Sequence, residues 1–79
     1  MSSIKFTGTF DGYTRIDRVP HYVFKENNIN YLANCIDYSE LIGDLAPEDK
    51  VDIEAEKGNE TEFGTLLVNV KFGERKWIL

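Results

Sequence analysis

The chain has 79 residues, 42% hydrophobic and 13% aromatic, with a formal net charge of −5 and a single cysteine, Cys35. That length makes one domain with no room for a second core, and the aromatic content is far from the signature of disorder. One cysteine excludes an internal disulfide, and one histidine with one cysteine excludes a structural zinc site within the chain.

The N-terminal residues read as a short frayed start. Ile4, Phe6, Gly8 and Phe10 then alternate with Lys5, Thr7 and Thr9, a strand with glycine in an inward position. An inward glycine marks a bend, a bulge or a close backbone approach. Asp11-Gly12 is a turn pair. Residues 13–19 read as a twisted strand or a loop, and Pro20 is expected to end any ladder there.

His21, Tyr22, Val23 and Phe24 are strand formers. Asn27-Asn28 follows, and asparagine tolerates the left-handed backbone of a two-residue hairpin turn. Residues 29–36 then read as the returning strand. A helix from about residue 28 to 43 competes, because Leu32, Cys35, Ile36 and Ile42 also share a helical face; the hairpin is preferred. Residues 37–45 read as a short helix capped by Asp37 or Ser39 and ended by Gly43.

Residues 50–72 are the most regular part of the chain. Val51, Ile53 and Ala55 alternate with Asp52, Glu54 and Glu56, and Leu66, Val68, Val70 and Phe72 alternate with Leu67, Asn69 and Lys71. A period of two places each set on one face of a strand, so this is a β-hairpin joined by a polar loop. Trp77, Ile78 and Leu79 are expected to tuck into the body.

Three strands, a short helix and two strands make a mainly β domain, a β-barrel or α+β fold of about five antiparallel strands. That element order is the one of the OB-fold, a small Greek-key barrel. SH3-like barrels and open sheets compete with it.

Charge is the most informative feature. Residues 37–62 hold two Lys and ten Asp/Glu, a net −8, against +1 for residues 1–36 and +2 for residues 63–79. An acidic surface attracts basic partners and repels nucleic acid. Asp52, Glu54, Glu56, Glu60 and Glu62 are therefore the candidate partner-binding residues of a non-catalytic protein–protein interaction module. A small inhibitor or adaptor, of the phage accessory or nucleic-acid-mimic type, fits that description. The alternative is an OB-like barrel that stacks single-stranded nucleic acid on Tyr13, Tyr22 and Tyr31 beside Arg15, Arg18 and Lys25.

No catalytic set is expected. His21 reads as a strand-end or surface residue, Cys35 as a core thiol, and the glycines form no phosphate loop. No cofactor or metal is expected, although three carboxylates on one strand face would suit a hard cation. No apolar run is long enough to cross a membrane as a helix and no signal segment opens the chain, so a cytoplasmic protein is expected. A homodimer is possible.

Overall fold

A computed structural model describes residues 3–37 and 45–73. Five strands, β1 (Ser3–Ile16), β2 (Val19–Glu26), β3 (Ile29–Asn34), β4 (Lys50–Thr61) and β5 (Gly64–Phe72), pair in the ring order β1-β2-β3-β5-β4, and β4 returns to β1. A short helix between β3 and β4 begins at residue 35. Mainly β with one helix after the third strand is the expected class. One ladder departs from expectation: β3 and β5 are parallel, joined by only two residue pairs, Tyr31 with Thr65 and Leu32 with Leu66.

β1 is shared. Its first half pairs with β4, from Ser3 opposite Glu56 to Thr9 opposite Lys50, and its second half pairs with β2. A register shift between Phe10 and Tyr13, at Asp11-Gly12, bends it from one neighbour to the other. Gly8 is an inward close approach, since a Cβ there would stand 2.9 Å from Cβ of Phe24.

The hairpin reading of residues 21–36 holds as far as Asn34, while residues 35 and 36 are helical rather than strand, and the competing helix does not start at residue 28. Asn27 and Asn28 have φ of 49° and 66°, the type I′ pattern. Asn28→Ala is expected to cost about 1 kcal/mol, the price of a left-handed residue with a Cβ, whereas Asn28→Gly is expected to cost nothing; urea midpoints for the two variants check this.

Residues 13–19 belong mainly to a second such hairpin. Asp17 and Arg18 have φ of 50° and 68°, and Ile16 pairs with Val19. Pro20 does not end the ladder. It is the second residue of β2, opposite Arg15, beyond the last β2–β3 pair of His21 with Asn34. In a two-residue hairpin the second pair is not hydrogen-bonded, so the missing N–H removes nothing from the β1–β2 ladder.

Asn34 caps the helix: its Oδ1 accepts the Ile36 N–H at 2.8 Å. The helix therefore starts earlier than a cap at Asp37 or Ser39 implies, and the rest of the expected 37–45 segment lies outside the described residues. So do Trp77, Ile78 and Leu79.

Val51, Ile53 and Ala55 point inward as expected, with Phe10, Tyr22, Phe24, Tyr31, Ala33, Leu67 and Val70. The expected inward set of β5 slips. Leu67 is buried while Val68 is exposed, because Asn69 (φ 51°) sits in a bulge and only Val70 and Phe72 resume the expected phase. A second irregularity between Lys57 and Glu60 on β4 restores the register, so Thr61 pairs with Gly64 across a loop of only Glu62 and Phe63.

Candidate functional site

The five candidate carboxylates do not form one surface. Asp52, Glu54 and Glu56 share the outer face of β4, as alternation requires, and each is engaged by a neighbouring strand. Thr7 Oγ1 donates to Asp52 at 2.7 Å, Lys5 lies 3.9 Å from Glu54, and Asn69 Nδ2 donates to Glu56. Lys71 stands opposite Glu54 on β5, and Lys50 ends the same row on β4. Three lysines thus balance three carboxylates. A shallow cleft of about 510 Å³ crosses this face, lined by Lys5, Thr7, Asp52, Glu54 and Lys71 above Phe72. Among the described residues no three His, Cys, Asp or Glu side chains converge as a metal site would require.

Glu60 and Glu62 lie elsewhere, at the β4–β5 hairpin end. The Thr61 hydroxyl pins that turn: it accepts the N–H groups of Phe63 (3.1 Å) and Gly64 (3.2 Å) and donates to the Gly64 carbonyl at 2.9 Å. Phe63, between the two glutamates and Gly64, is 43% exposed. The turn sits against the start of β3, where Asn30 Nδ2 lies 3.5 Å from the Phe63 carbonyl. That contact sets it beside the β2–β3 hairpin end, where Glu26 pairs with Ile29 and Ile29 is 44% exposed. Two hairpin ends therefore present two apolar side chains among three carboxylates. The sequence signal for Phe63 was its place in a Thr-Glu-Phe-Gly turn, where an aromatic has no strand to bury it.

The basic and aromatic candidates scatter. Tyr22 and Tyr31 are 4% and 5% exposed, inside the barrel. Lys25 pairs with Asp11 at 3.1 Å. Tyr13, Arg15 and Arg18 are exposed on the β1–β2 hairpin. The outer face of β2 and β3, which OB barrels use for oligonucleotides, carries Val23 and Leu32, both buried.

His21 is buried rather than at the surface, its Nδ1 2.8 Å from the Val19 carbonyl. Cys35 is half-buried at the start of the helix. Burial pushes its thiol pKa up, a backbone hydrogen bond from Tyr22 opposing. A raised thiol pKa means less thiolate, so Cys35 is expected to react with a disulfide reagent at pH 8 more slowly than free cysteine. A rate equal to that of the free amino acid would contradict this environment.

Comparison with protein-family models, curated proteins and solved structures finds no match for this chain.

Proposed function

We propose that this chain is a non-catalytic protein–protein interaction module, acting as a small cytoplasmic inhibitor or adaptor, that presents its paired hairpin ends to a partner. The observation that carries the reading is Phe63, an aromatic side chain half in solvent on a turn held by three Thr61 hydrogen bonds and flanked by Glu60 and Glu62. A turn whose backbone is already fixed loses little freedom on binding, and exposed aromatic anchors dominate interface energetics. Ile29 widens the apolar centre and Glu26 extends the acidic rim. The partner chemistry that fits is an apolar or aromatic surface bordered by cationic groups, hence a basic protein surface. The outer face of β4 is a weaker candidate because Lys5, Lys50 and Lys71 offset its carboxylates.

The test is affinity capture of partners with three baits. Phe63→Ser and the pair Glu60→Lys/Glu62→Lys are each expected to weaken capture by about thirtyfold, matching a hot spot of about 2 kcal/mol. The triple change Asp52→Asn/Glu54→Gln/Glu56→Gln is expected to leave it unchanged. The reverse pattern would move the site to the sheet face and end this reading.

A further inference from the structure

We propose that the partner of the acidic hairpin end is the opposite end of a second copy of this chain, so that copies dock head to tail. This rests on the reading of the hairpin end above and names its partner. β2 joins the two ends: the Asp17-Arg18 turn precedes it and the Asn27-Asn28 turn follows it, and eight extended residues separate them by about 25 Å.

At the far end Tyr13 and Arg15 share one face of the β1–β2 hairpin, opposite Tyr22 and Pro20. Tyr13 is 61% exposed, yet its ring is held by Phe10 (centroids 5.3 Å apart, edge-on) and Tyr22 (5.4 Å apart). Arg15 and Arg18 are exposed beside it, and with Asp17 between them this is the described hairpin end of net positive sign. The two ends are thus complementary in charge: a ring-packed tyrosine with two guanidinium groups on one, an exposed phenylalanine on a hydrogen-bonded turn with two nearby carboxylates on the other. Arginine and carboxylate pair in a bidentate geometry, and tyrosine and phenylalanine pack edge to face.

The net charge of −5 does not forbid the contact. Screening at physiological ionic strength acts over about 8 Å, well short of the separation of the ends, so docking copies feel mainly the facing hairpins. A head-to-tail contact is heterologous and extends into chains or closes into a ring. Hairpin ends are small, so the contact belongs to the weak class, burying less than about 1,200 Å² in total.

The experiment is sedimentation at rising concentration, up to about 1 mM, the range where weak contacts populate. The wild-type average mass is expected to rise with concentration. Arg15→Glu/Arg18→Glu and Glu60→Lys/Glu62→Lys are each expected to stay monomeric alone, because each then carries ends of like sign. Mixed in equal amounts they are expected to associate again, since every facing pair of ends is once more of opposite sign. All six positions of contact are exposed, and melting curves check that the variants stay folded. A wild type that remains monomeric at the highest concentration overturns the proposal, as does a mixture that fails to associate. If the wild type is monomeric while Glu60→Lys/Glu62→Lys still loses a captured protein, self-docking falls and the interaction reading stands. If the substitutions change neither association nor capture, both fall.

Discussion

Phe24→Ala is expected to remove about 3–5 kcal/mol of stability, a large share of the total of about 4–12 kcal/mol for a domain of this size. Phe24 is fully buried. Its ring lies 5.9 Å from that of Phe10, 6.1 Å from Tyr22 and 6.0 Å from Phe72, so it joins β1, β2 and β5 across the barrel. Its Cβ also faces the bare Cα of Gly8. Removing the ring therefore opens a cavity bounded by strands that the hydrogen-bonded ring holds apart, and such a site collapses poorly. Urea titration reads the loss. A change below about 1.5 kcal/mol would mean that Phe10 and Phe72 close the gap and that the cluster is not the centre of the core.

Gly64→Ala is the second large effect. Gly64 has φ of 147°, a backbone region open to glycine and strained for other residues. A Cβ there would also run into the carbonyl oxygen of Asn30 and stand 2.9 Å from its Cβ. Relief requires β5 to move away from β3 beside the two pairs that join them. The expected loss is about 2–4 kcal/mol, combining backbone strain with the displaced contact. For a domain of this length that is a fall in melting temperature of roughly 10–25 °C. Alanine at Gly12 separates the two contributions, because Gly12 also has positive φ, 95°, but meets nothing within 4 Å. It is expected to show the strain alone and a smaller loss.

Period-two alternation made β4 and the first half of β1 readable, because Val51, Ile53, Ala55, Ile4 and Phe6 each face one side of a regular ladder. Asn27-Asn28 was readable because asparagine accepts positive φ. Asp17-Arg18 was not, since arginine seldom adopts that backbone and Pro20 signalled an end to the strand. In β5 the alternation was followed through Asn69, yet that asparagine takes the left-handed conformation of a bulge and reverses the faces of the residues before it. The parallel β3–β5 closure leaves no local trace: it depends on where the β4–β5 hairpin swings. The same gap explains the site. Five carboxylates within eleven residues read as one face, but the outer face of β4 carries three of them among lysines, and the hairpin end carries Glu60 and Glu62 near Phe63. Tyr22 and Tyr31 were equally ambiguous, since an aromatic in a strand serves a core or a ligand and only the closed ring decides which.

The sharing of β1 between two neighbours has a consequence for how the chain is made. During synthesis all the residues of the β1–β2 and β2–β3 ladders are present once residue 34 has emerged, because those contacts are local. The first half of β1 then waits: Thr7 meets Asp52, 45 residues later, and Ser3 meets Glu56. Until β4 appears, residues 3–9 present an unpaired edge with Ile4 and Phe6 uncovered, a template for pairing with another nascent chain. Closure over that separation is slow compared with hairpin formation. The polar residues interleaved there, Lys5, Thr7 and Thr9, therefore serve twice: they solvate the outer face of the finished barrel, and the charge of Lys5 guards the waiting edge while the ribosome supplies its partner.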